Sequence, residues 1–136
     1  MPQVSTAFVA DPELIAVLEK RARSIELGSN RVLFRQGDPP IGVFILRKGT
    51  ATLTRLMDGE EVLSARAGAG SLLGVPAVIG AKPYSLTAEA MEGAEISLLT
   101  GEYFVHLMHT EPGLSFGVLQ VLAEEVRFAR EEMSHR

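Results

Sequence analysis

Cysteine is absent from the 136 residues. The chain therefore has no disulfide framework, no thiol nucleophile and no cysteine metal site. It also lacks a basic excess: 17 acidic against 13 basic side chains give a net charge of −4. That argues against broad electrostatic binding of nucleic acid by this chain alone. No stretch is long and apolar enough to span a bilayer. The first ten residues lack a basic region followed by a long apolar run, so no secretory signal is read. The expectation is a cytoplasmic protein with no membrane partner.

Residues 24–100 contain no histidine. A barrel enzyme of the cupin kind needs histidines and a carboxylate projecting from its strands, so that chemistry is not expected. No serine or threonine stands in a nucleophile elbow. His106 and His109, three apart with Glu102 nearby, fall short of the converging ligands a metal site needs. No catalytic and no metal-ligating residue is assigned.

What is present is a core. Hydrophobic residues make up 46% of the chain, enough for one globular domain. Residues 1–10 read as a loose N-terminal arm. Asp11-Pro12-Glu13 starts a helix: a capping aspartate, proline in the first turn, and an acid near the positive dipole end. Leu14, Ile15, Val17 and Leu18 carry that helix to about residue 22. The period then changes to two. Short strands are predicted near 24–27, 32–34, 42–48, 50–57, 61–67, 86–90 and 94–99, with turn residues between them. Asp58-Gly59 marks a hairpin. Val43, Phe44, Ile45 and Leu46 suit a strand buried on both faces. The pattern predicts a mainly β fold with flanking helices, an antiparallel jelly-roll barrel over residues 11–113.

Thr100 caps a short helix that is apolar at Phe104, Val105, Leu107 and Met108. Glu111-Pro112-Gly113 interrupts it, and residues 114–136 form one long helix. Leu119, Leu122, Val126, Ala129 and Met133 step by three, four, three and four. That is a heptad seam, and it predicts a homodimer contact. Leu114 and Val118 are expected to pack on the barrel instead.

The stretch around which the rest is organised is residues 70–88. Gly74 leads into a helical turn over Val75, Pro76, Ala77, Val78 and Ile79, which Gly80 ends. Lys82-Pro83 then restarts an extended chain. A glycine-entered helix N-terminus exposes N–H groups suited to an anion. A capped loop without a ligand is the equal alternative.

In order, the helix, the barrel with its Gly-rich insert, the short helix and the long terminal helix resemble the cyclic-nucleotide-binding domain. The resemblance is nearest to the sensor half of Crp/Fnr-family bacterial regulators. The residues carrying it are Phe34-Arg35-Gln36-Gly37-Asp38, Ile45-Leu46-Arg47-Lys48-Gly49-Thr50-Ala51, Gly70-Ser71-Leu72-Leu73-Gly74 and Glu111-Pro112. The resemblance implies an eight-stranded barrel and a phosphate-binding cassette over Gly74, Val75, Pro76, Ala77, Lys82, Pro83, Tyr84 and Ser85. It also places Val126, Ala129 and Arg130 of the last helix near the pocket.

In the family a glutamate meets the ribose and an arginine pairs with the cyclic phosphate. Here Val75 and Tyr84 occupy those positions. Valine accepts no hydrogen bond, and tyrosine is neutral at pH 7. Lys82 is expected to be solvated. Cyclic AMP or cyclic GMP is the ligand the fold implies, and weak or absent binding is the expectation. Val75, Val78 and Ile79 are then expected to form an apolar wall. Tyr84 would be its polar handle or a plug. On that geometry, Val75→Glu with Tyr84→Arg would restore nucleotide binding.

The family's regulators continue into a helix-turn-helix that enters the major groove. No such segment lies within residues 1–136, so direct DNA binding by this chain is not expected. Two functions follow: a module in which a small-molecule effector moves the long helix, or a ligand-free dimerisation module on the same fold.

Overall fold

A computed structural model describes residues 4–134, with the side chains of 133 and 134 excepted. In chain order the elements are β1 (Val4–Ser5), α1 (Pro12–Glu19), β2 (Arg23–Ile25), β3 (Val32–Phe34), β4 (Gly42–Lys48), β5 (Ala51–Met57) and β6 (Glu60–Ala67). Then come β7 (Ser71–Leu73), α2 (Val75–Gly80), β8 (Thr87–Ala90), β9 (Glu95–Thr100), α3 (Gly101–Thr110) and α4 (Pro112–Ser134). The strands form two sheets, ordered β1-β6-β5-β8-β3 and β2-β9-β4-β7. All pairs are antiparallel except β1 with β6, which is parallel.

The expected mainly β fold with a long terminal helix is therefore present, with nine strands among the described residues rather than eight. Two strands have no counterpart among the seven predicted ranges: β7, at the start of the Gly-rich stretch, and β1, in the segment read as a loose arm. Phe8 and Ala10 are 3% and 5% exposed, and the Leu72 N–H donates to the Phe8 carbonyl at 2.9 Å. Phe8 also meets Phe128 edge-on at 5.7 Å. One aromatic buried against α4 is enough to pin a short segment that carries no periodic signal of its own. Residues 1–3 lie outside the described residues.

The apolar residues fall into two clusters, and β4 divides them. Its side chains alternate across the sheet. Phe44 and Leu46 face the space between the sheets, with Phe34, Leu53, Leu73, Tyr84, Ala88 and Ile96. Val43 and Ile45 face the other way, into a layer with Leu14, Leu18, Leu72, Phe104, Leu107, Val118 and Val121. Helices α1, α3 and the first half of α4 thus cover the outer face of the four-stranded sheet. This is why residues 42–46 are buried throughout, as their composition predicts.

Helix ends follow local chemistry. Asp11 caps α1, its carboxylate accepting from the Glu13 N–H at 2.8 Å. Helix α1 ends at Glu19, earlier than expected. Thr100 caps α3 through the Tyr103 N–H. Helix α4 begins at Pro112 itself, where proline loses no intrahelical bond.

Candidate functional site

Helix α2 fills the crossing between the sheets and α4. Its N-cap is Gly74, at φ +93°, a backbone region that favours glycine. A side chain there would also collide with Tyr84, since an added Cβ would lie 2.9 Å from Cε1 of that ring. Gly80 is the last residue of α2, as the sequence suggested, and Ala81 caps it in the left-handed region at φ +52°.

Tyr84 is 2% exposed. Its ring stacks on Phe34, with centroids 3.9 Å apart. Its hydroxyl accepts from the N–H groups of Ile41 and Gly42 at 3.0 and 3.1 Å and donates to the Gly42 carbonyl at 2.8 Å. One donor and two acceptor sites are all a phenol has, so no site remains for a ligand. Of the two roles expected for Tyr84, handle or plug, the geometry is that of the plug. Its backbone is held as well: the Tyr84 N–H donates to Asp38, and its carbonyl accepts from Gly37. Tyr84→Phe leaves two N–H groups and a carbonyl without their partner. Each unsatisfied buried group costs about 1–3 kcal/mol. A loss of about 2–4 kcal/mol in urea unfolding is expected, and an unchanged midpoint would contradict this geometry.

Val75 does not line the pocket. It is fully buried on the helix side, in the cluster of Val43, Leu72 and Phe104. Ile79 is 44% exposed and Val78 belongs to the helix-side cluster, so the expected apolar wall of Val75, Val78 and Ile79 does not form. Lys82 and Pro83 are exposed; the lysine is solvated as expected. Arg130 is exposed and does not line the chamber.

A chamber does exist between the five-stranded sheet, α2 and α4. Two adjoining cavities of about 30 and 200 Å³ share Phe8, Pro76, Ser85, Leu86 and Glu125. Of the residues expected at the site, Gly74, Pro76, Ala77, Tyr84 and Ser85 line it, and Val126 and Ala129 close it from α4 together with Leu122, which was expected in the dimer seam instead. Leu53, Leu63, Leu73 and Phe128 add apolar surface.

Two charged residues line the chamber that sequence reading did not select, Arg55 and Glu125. The signal for Glu125 was in the helix period. Val118, Val121, Leu122, Glu125, Phe128 and Ala129 form one inward face, and the glutamate sits in its middle. Burial pushes its carboxyl up from the ordinary 4.5 to about 8. The folded chain then binds a proton that the unfolded chain has released between those two values. Stability falls as pH rises through that window and is level on either side. The slope reaches up to about 1.4 kcal/mol per pH unit, lessened by the water that reaches this half-buried side chain. Glu125→Gln is expected to flatten this dependence and to raise the melting temperature at pH 8.5. A variant with the same pH profile as the unmodified protein would contradict the assignment.

Elsewhere, α3 exposes His106 and His109 and half-buries Tyr103. Arg21 donates to the Tyr103 hydroxyl at 2.9 Å and pairs with Glu111 at 3.6 Å. Among the described residues no group of three histidine or carboxylate side chains is placed to hold a metal, and none of the helices is long and apolar enough to cross a membrane.

The profile of the Cyclic nucleotide-binding domain matches residues 24–111, more than half of the chain. The chain belongs to the cyclic nucleotide-binding domain family. Its relatives are regulators of the Crp/Fnr family. Transcriptional activator protein anr of Pseudomonas aeruginosa is 28% identical over 120 residues, covering 88% of this chain and 48% of the activator. Among solved structures, the catabolite activator protein of Thermus thermophilus superposes with a TM-score of 0.75 at 24% identity, over 96% of this chain and 62% of that one. The sensor domain of the regulator DNR from Pseudomonas aeruginosa superposes with a TM-score of 0.65 at 18% identity, over 90% and 83% of the two chains. At these identities the structures establish a shared fold. The chain spans about half the length of the curated relative it matches.

Within this cyclic nucleotide-binding domain, the resemblance assigns the two principal ligand contacts to Val75 and Tyr84. Both side chains are inside the core.

Proposed function

We propose that this domain is a sensory module of Crp/Fnr type with a degenerate cassette, signalling through α4. One observation carries the reading. The side chain at the glutamate position is packed among helices, and the one at the arginine position plugs the sheet interior with every hydrogen-bonding site in use. Neither has a charge to offer the ribose or the cyclic phosphate. Helix α4 closes the chamber with one face and exposes the other, so occupancy of the chamber bears directly on the helix. The exposed face carries Phe116 and Leu119, at 67% and 59% exposure, and Val126, which also borders the chamber, lies at its edge at 52%. A second copy of the chain covers this face in the reading we favour.

Losing one charged hydrogen bond costs about 1.5–3 kcal/mol. Two such losses weaken binding by roughly a hundredfold or more. Calorimetry with cyclic AMP and cyclic GMP is expected to show no submicromolar site. Submicromolar binding of either by the unmodified protein would overturn the reading.

The alternative is a ligand-free dimerisation module. The chamber itself favours the sensory reading, because a purely structural core closes such space.

A further inference from the structure

The chamber holds two charged groups that close packing alone does not call for. On β5, Ala51 and Leu53 face inward and are buried. Arg55, two residues on, continues that face and stands opposite Leu63. The pairing is irregular between Arg55 and Leu56, and such bulges re-aim side chains. This one is clamped by Gln36. Its amide nitrogen donates to the Leu56 carbonyl at 2.9 Å, and its amide oxygen accepts from the Leu56 N–H at 2.8 Å. A side chain thus takes the place of a neighbouring strand at the point where the cation enters the chamber. The Arg55 Nε is shielded from solvent and has no hydrogen-bond partner.

Glu125 lines the same cavity from α4. No ion pair or hydrogen bond joins it to Arg55. An inward arginine and an inward glutamate that share a cavity without meeting leave both polar groups open to a third partner. Local departures from the inside-outside pattern of this kind mark functional sites.

We propose that the chamber binds a small aromatic or branched carboxylic acid, its carboxylate on Arg55 and its body against Phe8, Leu63, Leu86, Leu122 and Phe128. The cavity of about 200 Å³ sets the size. An apolar cavity of about 150 Å³ accepts benzene, so a ring with a short acid chain fits, roughly 10–14 non-hydrogen atoms. Arg55 supplies a charge-assisted bond. Glu125, kept neutral by burial at pH 6.5, donates to a polar atom of the ligand without repelling the acid. A dianionic phosphate fits less well, because among the described residues Arg55 is the one cation on the chamber wall and Lys82 is outside it.

The proposal rests on the reading that the cassette no longer serves cyclic nucleotides, and its test is separate. Indole-3-acetate and 3-phenylpropionate are titrated into the unmodified 136-residue protein at pH 6.5, each beside its neutral primary amide, by calorimetry and by amide chemical shifts. At least one acid is expected to bind about tenfold or more tightly than its amide. Arg55→Leu and the gentler Arg55→Gln are expected to erase that difference while leaving amide binding unchanged. Equal binding of acid and amide by the unmodified protein overturns the proposal, and so does an absence of any acid binding at millimolar concentration. A folded Arg55 variant that keeps the full acid preference also overturns it. The acid–amide comparison needs no variant, so misfolding cannot mask the outcome. Tight cyclic AMP binding would instead sink the cassette reading of the preceding section.

Discussion

Val75→Glu is expected to unfold the domain or cut its stability severely, and not to restore a nucleotide contact. The sequence suggested the opposite, since the family's glutamate aligns with Val75. The physical reason for the change is packing. Val75 opens α2 and is fully buried on the helix side of the four-stranded sheet. Its cluster contains Val43, Ile45, Leu72, Leu99 and Phe104. A carboxylate placed there is neither solvated nor paired. Uncompensated buried charges cost about 3–5 kcal/mol, against a total stability of about 5–15 kcal/mol for a domain. The double variant with Tyr84→Arg fares worse, because it also removes the plug and its three hydrogen bonds. Circular dichroism melting and urea unfolding read the effect. A folded Val75→Glu protein with an unchanged midpoint would refute the placement of this side chain. If it also bound cyclic AMP tightly, the cassette would have kept its geometry after all.

Phe116→Glu with Leu119→Glu is expected to convert a dimer into monomers at little cost in stability. The seam read from sequence was Leu119, Leu122, Val126, Ala129 and Met133. The structure divides that set. Leu122 and Ala129 are half-buried and turn toward the chamber. Leu119 and Val126 are exposed, in line with Phe116 and Ala123. Met133's side chain lies outside the described residues. Phe116, Leu119, Ala123 and Val126 step by three, four and three, a stripe suited to a helix–helix contact. Charges on this stripe are solvated in the monomer and buried in a dimer, so they act on association alone. Leu122→Glu is expected to act differently, lowering the melting temperature by reaching into the fold. Sedimentation at tens of micromolar (about the micromolar affinity range) decides. An unmodified protein that is monomeric there, or a double glutamate variant that stays dimeric, overturns the assignment.

Most of the fold was legible because its signals are local. Asp11 and Thr100 announce helix starts through their own side chains. The run Val43-Phe44-Ile45-Leu46 announces a strand buried on both faces, and it is one. The segment around Phe8 was missed for the converse reason. A two-residue strand has no period to read; Val4–Ser5 is held by pairing with β6 and Phe8 by Phe128, both far away in the chain.

The site was less legible. Gly74, Pro76, Ala77, Tyr84, Ser85, Val126 and Ala129 were expected near a pocket and do line one, joined by Leu122, which the sequence placed in the dimer seam. Lys82, Pro83 and Arg130 were expected there and do not. Arg55 and Glu125 line it and were not selected from the sequence. A strand pattern shows that residue 55 shares a face with 51 and 53, but not that Gln36 reaches across to hold that strand end.

By itself, the sequence determined most of the strands and helices, several of their starts, and which family they compose. These depend on side-chain period, capping groups and turn residues within a few positions of one another. Only the tertiary structure decided which way each side chain at the site faces. About half a turn of rotation along α2 places Val75 among the helices and Ala77 at the chamber. The same rotation on α4 puts Glu125 inside and Leu119 outside. A helix carries no record of which of its neighbours will be sheet and which will be water; the packing of both sheets against it makes that choice.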